Sequence, residues 1–178
     1  MITTCATRRP DRADAATPST AVTIALRSLA RRHQHLSTEI AELDELLEPL
    51  VTAINPDLIS VHGVGPDTAG QMLVTAGENH DRLTGEAAFA MLCGVAPIPA
   101  SSGKTTRHRL NRGGDRQANA ALYRVVLCRL RWDPRTRDYM HRRTTEGLSK
   151  KEIIRCLKRY VARELYQIIT SNNPQLAA

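Results

Sequence analysis

The chain has 178 residues, of which 42% are hydrophobic and only 3% aromatic. The hydrophobic content excludes wholesale disorder, and a core of Leu, Ile, Val and Ala with few aromatic residues favours helix packing over a β-sandwich. Residues 100–178 hold 18 Lys and Arg against 6 Asp and Glu, a net charge of +12, whereas residues 1–99 hold 7 against 12, a net charge of −5. The C-terminal part is therefore the candidate anion-binding part, and its charge argues against a protein that contacts other proteins alone.

The cysteines and the hydropathy exclude several classes of protein. Cys5, Cys93, Cys128 and Cys156 are far apart and form no Cys-x-x-Cys pair, which indicates neither a zinc site nor a disulfide framework. No apolar run approaches the roughly 20 residues that span a bilayer, and the N-terminus lacks the apolar core of a signal peptide. We expect a soluble, cytoplasmic protein with reduced thiols and no membrane partner.

Residues 1–19 contain almost nothing to bury, so we expect a disordered leader. The pattern after it predicts a mainly α fold: a coiled-coil helix over residues 20–55, a compact helical domain over residues 56–172, and a tail over residues 173–178. Within the helical domain we expect a turn like that of a helix-hairpin-helix element and a glycine-rich basic loop or short hairpin.

The long helix carries an apolar seam with a spacing of seven residues. One set comprises Val22, Leu29, Leu36, Leu43 and Leu50, and a second set interleaves with it as Leu26, His33, Ile40, Leu47 and Ile54. A helix that lies on its own domain normally has a wider apolar face of period 3.6, so this narrow seam predicts a partner helix. We expect homo-oligomers through a coiled coil, in which His33 sets the register, and the seam does not distinguish a dimer from a tetramer.

A glycine turn, Gly63-Val64-Gly65, follows, with a short helix predicted to reach Ala76 and to stop at Gly77. The turn resembles a helix-hairpin-helix element, in which glycines let the backbone approach a phosphate. A tight helix connection in the core is an equally good interpretation, because no Lys or Arg lies between Arg32 and Arg82.

The next helix is predicted to begin at a Thr84 cap and to run through Cys93, with Gly94 as its left-handed stop. A polar, glycine-rich segment then extends to Gly114. In it, residues 95–98 pair with residues 105–110 in a predicted short hairpin.

This central segment combines candidate nucleophiles with cations. Ser101 and Ser102 precede Gly103, and the cations that follow are Lys104, Arg107, His108, Arg109 and Arg112. The combination suggests phosphodiester chemistry, but a basic loop that only grips a nucleic-acid backbone needs the same cations. The residues alone favour gripping over catalysis, and either serine could simply form a turn.

Three further helices are predicted after this segment. Asp115 caps a helix to Trp132, Asp133-Pro134 starts a helix that reaches Glu146 and is ended by Gly147, and Ser149 with Glu152 forms a capping box for the last helix. The inward residues of the first of these are Leu122, Val125, Val126, Arg129 and Leu130. The core stripe of the last helix is Ile154, Leu157, Val161, Leu165 and Ile168.

The other sides of the last helix carry cations almost exclusively, a pattern that favours contact with a polyanion. With the central segment they make up the predicted nucleic-acid-binding residues: Lys104, Arg107, His108, Arg109, Arg112, Arg116, Lys150, Lys151, Arg155, Lys158 and Arg159.

Three segments together resemble the C-terminal transposase domain of IS116/IS110/IS902-type insertion-sequence transposases. They are GVGPDTAGQMLVTAG, FAMLCGVAPIPASSGKTTRHRLNRGGDRQANAALYRVV and DPRTRDYMHRRTTEGLSKKEIIRCLKRYVARELY. The resemblance covers roughly residues 20–170 and implies an RNA-guided serine recombinase, with DNA and a guide RNA as partners. By its motif the nucleophile is Ser102, with Ser101 as the fallback.

The residues around that serine provide cations but no carboxylate base. Lys104, Arg107 and Arg109 could neutralise a phosphate, and His108 is the nearby base. In the family, an upstream RNase-H-like domain with four acidic residues binds divalent metal such as Mg²⁺. Fewer than about 25 residues precede the predicted coiled coil here, too few for such a domain, so we expect a truncated copy without a cofactor of its own.

The alternative is a non-enzymatic module: a coiled-coil dimer that binds DNA or guide RNA, or that modulates a full-length transposase by mixed dimerisation.

Overall fold

A computed structural model describes residues 1–11, 13–77, 79, 82–101 and 108–171 of the chain. Contacts divide the chain into two compact units, Met1–Leu46 and Leu47–Ala178. Eight helices and two short strands occur among the described residues, so the fold is mainly α, as predicted. In chain order the elements are α1 (Ile2–Thr7), α2 (Pro18–Ile54), α3 (Pro56–Ser60), α4 (Pro66–Gly77), α5 (Glu86–Leu92), β1 (Ile98–Pro99), β2 (His108–Arg109), α6 (Arg116–Trp132), α7 (Pro134–Thr145) and α8 (Lys150–Ser171).

The first unit contains α1 and the greater part of α2. A disordered leader was expected over residues 1–19, and the structure corrects this at Ile2–Thr7, which form α1. Cys5 and Ala6 are adjacent in α1 and lose exposure there, Ala6 to the point of burial, which gives this short helix an apolar side.

Helix α2 is a continuous helix of 37 residues. Its seam residues within the first unit remain largely open, with relative exposures of 41–65% at Val22, Leu26, Leu29, Leu36, Ile40 and Leu43. An isolated chain therefore presents a long apolar stripe to solvent.

The core of the second unit forms around α6 and α8, which pack against each other. Helix α6 also contacts α4 and α7, and α5 packs against α8. The buried side of α6 consists of Ala118, Ala121, Leu122, Val125 and Val126, whereas the predicted inward residues Arg129 and Leu130 are only half-buried.

The buried stripe of α8 differs in phase from the prediction. Its apolar members are Ile153, Leu157, Val161, Ala162, Leu165 and Ile169. The predicted Ile154 and Ile168 are only partly buried, because the contact follows steps of four residues along the helix and so shifts by one position at each end.

The glycine turn after α3 packs against α6. Gly63 has φ +85°, and a Cβ atom there would lie 3.4 Å from both Cys128 Cβ and Val125 O, whereas nothing lies within 4 Å of a Cβ atom at Gly65. This geometry favours the interpretation as a tight helix connection. Glycine is required at position 63 because the backbone there has a positive φ and lies close to α6.

Local capping signals correctly predicted where α6, α7 and α8 begin. The Asp115 carboxylate accepts from Gln117 N and Ala118 N, the Asp133 carboxylate caps α7, and Ser149 N donates to Glu152 Oε2 over 3.0 Å. The predicted Thr84 cap is wrong: the N-cap of α5 is Gly85, whose extended backbone lets Phe89 N donate to Gly85 O, and no cap side chain contributes a hydrogen bond.

Candidate nucleic-acid interface

Gly94 ends α5 with a Schellman turn. Its φ is +65°, Gly94 N donates to Met91 O over 3.0 Å, and Val95 N donates to Ala90 O over 2.9 Å. The left-handed conformation predicted at this glycine is confirmed.

The other end of the central segment touches this turn. A Cβ atom at Gly114 would lie 2.2 Å from Gly94 N and 2.3 Å from Gly94 Cα, so only glycine fits there. The next residue, Asp115, donates its N–H to Leu92 O over 2.7 Å. The end of α5 and the start of α6 are thus joined backbone to backbone.

Two asparagines reinforce this junction. Asn119 Nδ2 donates to Cys93 O over 2.9 Å and to Gly94 O over 3.1 Å. Asn111 Nδ2 donates to Met91 O over 3.3 Å, and Asn111 Oδ1 accepts from Gly113 N over 3.0 Å. Residues 111–119 (NRGGDRQAN) therefore have a structural role, since they hold the end of α5 and the start of α6 together, and we call them the clamp.

Between the clamped ends, β1 and β2 form an antiparallel pair with Ile98 opposite Arg109 and Pro99 opposite His108. In the hairpin expected from the sequence the first strand began at residue 95, whereas residues 95–97 are not in a strand; residues 105–107 of the expected second strand lie outside the described residues. Ser101 is exposed just after β1. The predicted nucleophile Ser102 lies outside the described residues, as do Gly103, Lys104 and Arg107.

A cleft of about 770 Å³ lies between this hairpin and α8, and we call it the first cleft. The described charged groups that line it are one acid, Glu152, and six basic residues: His108, Arg109, Arg143, Arg155, Lys158 and Arg159. The structure therefore brings together five of the predicted nucleic-acid-binding residues from two separate parts of the chain.

Lys158 lines the first cleft but is buried, whereas a residue that contacts phosphate is expected to be exposed. It is only 7% exposed, and its Nζ donates to Asn119 Oδ1 over 2.8 Å. Burial, and then the charge of Arg155, lower the pKa of the Lys158 ammonium. Asn119 consequently holds both the Gly94 turn and the buried cation.

Arg159 shares its charge with an acid from α5. Arg159 Nη1 and Arg163 Nε both bind Glu86 Oε1, the latter over 3.1 Å. Burial raises the pKa of Glu86, but the hydrogen bonds and charges of the two arginines outweigh it, so the net pKa is lowered. A phosphate that reaches Arg159 therefore competes with a carboxylate already in place.

The remaining predicted cations are dispersed. Arg112, Arg116, Lys150 and Lys151 are exposed and are not among the residues lining the first cleft. Sequence reasoning missed Arg143, which lines the cleft from α7 and also pairs with Glu146. The signal that could have found it is the Arg142-Arg143 pair in the last turn of α7.

No group of three His, Cys, Asp or Glu residues that could hold a metal ion occurs in the described parts of the chain. The four cysteines are free, and burial, followed by the nearby Asp115 charge, raises the pKa of Cys93 to about 12. In the same described residues, every helix is too short or too polar to cross a bilayer.

Comparison with known proteins adds to these observations. The family model described as Transposase IS116/IS110/IS902 family matches residues 56–141. An insertion element IS110 uncharacterized 43.6 kDa protein of Streptomyces coelicolor is 32% identical over 133 residues, which are 74% of this chain and 32% of the relative. An insertion element IS900 uncharacterized 42 kDa protein of Mycobacterium paratuberculosis is 28% identical over 134 residues, which are 74% of this chain and 34% of the relative.

The chain thus spans about a third of the length of the curated relatives it matches. The matched residues 56–141 include the clamp, both strands of the hairpin and helix α6. Residues 56–141 of this chain are therefore similar to the IS116/IS110/IS902 transposase family.

Proposed function

We propose that the second unit grips DNA in the first cleft and serves as the serine-bearing part of a transposase that acts in DNA transposition. The observation that carries the proposal is the lining of the cleft, with six basic residues against one acid. Cations at this density neutralise phosphates without reading base sequence. The matched family supports DNA as the polyanion.

For the chemistry we propose Ser102 as the nucleophile. Its Oγ forms a bond to the scissile phosphorus, the bond from phosphorus to the leaving deoxyribose oxygen breaks, and the serine proton passes to a base. His108 is the base we assign from the described residues, and Arg109, beside it on β2, would stabilise the charge on phosphorus. Ser101 remains the fallback nucleophile.

The resemblance also implies a divalent metal and a guide RNA. The described residues do not fit a metal site, since they contain no group of three suitable ligands. We therefore assign the metal to an acidic domain outside these residues and derive no step through it. Guide RNA is proposed on the resemblance alone.

Charge reversal tests the gripping role. Arg155→Glu places a carboxylate in the first cleft, whereas Arg137→Glu makes the same change at an exposed residue of α7 that is not among those lining the cleft. We expect Arg155→Glu to weaken binding of a 20-base-pair duplex at least about tenfold and Arg137→Glu to weaken it by less than about threefold, as measured by fluorescence anisotropy. Equal losses in the two variants would contradict the proposed site.

Covalent trapping tests the chemistry. The chain is mixed with a separately supplied acidic domain of a relative, guide RNA, Mg²⁺ and target DNA, and a protein–DNA adduct is resolved on a denaturing gel. We expect Ser102→Ala to abolish the adduct and to change DNA affinity by less than about twofold, because one hydroxyl adds little to a site held by many cations. Loss of the adduct in Ser101→Ala alone would move the nucleophile to Ser101, and normal adduct in both variants would exclude the serine mechanism.

The open stripe on α2 supports a further part of the proposal: two copies of the chain associate through a coiled coil. Apolar residues exposed at 41–65% along one seam are a site for a partner helix rather than for solvent. The same stripe favours a second candidate function, in which the chain binds nucleic acid without cleaving it and modulates a longer transposase by mixed dimerisation.

A further inference from the structure

A second cleft of about 770 Å³ opens on the same unit, and its walls come from α6, α7, α8 and His62. Two aromatic rings line it: Tyr139 and Tyr160 lie edge to face with centroids 5.6 Å apart at 90°. The Arg142 guanidinium lies over the Tyr139 ring, 5.5 Å from its centroid. The volume falls within the roughly 300–1,000 Å³ of small-molecule pockets, and the aromatic lining suits a flat ligand.

The charges of this second cleft are balanced, in contrast to the first. Among the described residues that line it are three arginines, Arg129, Arg135 and Arg142, and three acids, Asp133, Asp138 and Glu164. Such a lining offers no net attraction to phosphate. It offers hydrogen-bond donors and acceptors around an aromatic pair, which is what an uncharged nucleobase requires.

Several of these charged groups are already engaged. Arg129 Nη1 binds Glu164 Oε2 over 2.8 Å, and Arg129 Nε donates to His62 O over 2.8 Å. The Asp133 carboxylate caps α7, and the hydrogen bond from the Thr136 hydroxyl is the main cause of its lowered pKa. Asp138, which is exposed, is the acid best able to turn towards a ligand.

Tyr160 joins the two clefts. It lines both of them and is 50% exposed. Two pairs of consecutive residues also divide between the clefts. Arg143 and Lys158 line the first cleft, whereas Arg142 and Leu157 line the second. A strand whose phosphates lie in the first cleft therefore passes Tyr160, and a base displaced from that strand meets the second cleft.

We propose that the second cleft accepts an unpaired nucleobase of the DNA strand whose backbone lies in the first cleft. The base stacks on Tyr160, and the Asp138 carboxylate accepts a hydrogen bond from an exocyclic amino group. The base has to be unpaired because a base inside a duplex is covered on both faces by its neighbours, and unstacking is easiest where no partner is present. This inference rests on the proposed function, since it takes DNA as the ligand of the first cleft.

The test compares two DNA duplexes of equal length, one fully paired and one with a single bulged 2-aminopurine. We expect the full chain to bind the bulged duplex about fivefold or more tightly and to quench the 2-aminopurine fluorescence. Tyr160→Ala should bring the two affinities to within about twofold, since stacking on an aromatic ring accounts for roughly fivefold to a hundredfold in binding. Tyr160→Phe keeps the ring and should keep the preference.

Two further variants separate the clefts. Asp138→Asn should reduce the preference for bulged 2-aminopurine without changing affinity for paired DNA. Arg155→Glu should weaken both duplexes by the same factor and leave their ratio unchanged. Circular dichroism of each variant verifies that the helical fold is intact.

The outcomes distinguish the two proposals. Failure of the full chain to bind either duplex would overturn the proposed function. Binding without preference for the bulge, or an unchanged preference in Tyr160→Ala, would overturn the inference about the second cleft while leaving the first cleft in place. Preference for a bulged base in RNA with none in DNA would equally overturn it, because the occupant would then be RNA.

Discussion

At Gly114 the fold depends on the absence of a single methyl group. A Cβ atom there would lie 2.2 Å and 2.3 Å from backbone atoms of Gly94 and 2.8 Å from Leu92 O, and backbone atoms inside a clamp cannot turn aside as a side-chain end can. We expect Gly114→Ala to destabilise the protein by about 3 kcal/mol or more, at the upper end of overpacking effects. Urea denaturation followed by circular dichroism measures the change.

Gly65→Ala is the matched control for that substitution. Gly65 also borders a helix, but it lacks a positive φ, and nothing lies within 4 Å of a Cβ atom there. We expect its free energy of unfolding to change by less than about 0.5 kcal/mol. A Gly114→Ala protein as stable as the Gly65→Ala protein would show that the clamp is not required.

Glu86 gives the protein an acid-sensitive contact. Its pKa is lowered from the ordinary value of 4.5, because the hydrogen bonds and charges of Arg159 and Arg163 outweigh the effect of burial. A carboxyl with a depressed folded pKa stabilises the fold at pH above its unfolded pKa, and this contribution is lost as pH falls through the folded pKa. Glu86→Gln should therefore lower stability at pH 7, and its difference from the parent protein should shrink below about pH 4.5.

The same variant has a second effect that a purely structural contact would not produce. Arg159 lines the first cleft, so removal of the competing carboxylate should tighten duplex binding at pH 7. Glu42→Gln, an exposed glutamate on α2, makes the same charge change and should leave the affinity unchanged within about twofold. If the Glu86→Gln and Glu42→Gln proteins bound alike, Arg159 would not be a phosphate contact.

At the scale of single residues, helix caps could be predicted from the sequence, whereas contacts between residues far apart in the chain could not. The Asp115 cap and the Ser149–Glu152 box were correctly predicted because each joins residues at most three positions apart. The Lys158–Asn119 contact joins residues 39 positions apart, and the Arg159–Glu86 contact joins residues 73 positions apart, so the sequence showed these two cations only as members of a charged helix face.

At the scale of the elements, the exposed apolar seam of α2 predicts that copies of the chain associate through this helix. Leu36→Asp with Leu43→Asp places two carboxylates on the open seam, and buried charge without a partner disfavours association. We expect the parent protein to sediment as a dimer or larger at tens of micromolar and this variant to sediment as a monomer.

The control for the seam lies on another side of the same helix. Gln34→Asp with Ala41→Asp adds the same charge at exposed positions outside the heptad pattern, and we expect it to leave association unchanged. A parent protein that is monomeric at these concentrations would refute the coiled coil.

Helices were easier to predict than their contacts. The periodicity placed α6, α7 and α8 to within about two residues, but the buried stripe of α8 was one position out at each end because packing against α5 and α6 selects the phase. Among the described residues, the hairpin pairs residues 98–99 with residues 108–109 and does not start at residue 95, because its position depends on the contact between Gly94 and Gly114, whose geometry no local pattern reveals.

At the scale of the whole molecule, the concentration of basic residues in the first cleft predicts that DNA affinity falls as the salt concentration rises. The first cleft is lined by five Lys and Arg residues, of which Lys158 is buried, Arg159 is paired with Glu86 and Arg143 is paired with Glu146, and these five set an upper bound on the phosphate contacts made there. With about two to five contacts, the log–log slope of affinity against salt should lie between about −1.8 and −4.5 for duplex DNA. Arg155→Ala should reduce its magnitude by about 0.9, and a slope near zero would exclude backbone gripping.

The contact between Gly94 and Gly114 has a consequence for protein engineering. Because both ends of the segment between them are fastened to each other and to α5 and α6, residues 97–110 form a cassette whose anchor points do not depend on its interior. The entropy of closing such a loop grows only slowly with length, so cassettes of different lengths are compatible with the same helical framework. Exchange of this cassette for the corresponding residues of a similar protein is therefore a direct way to replace the serine segment and its cations without redesigning the core.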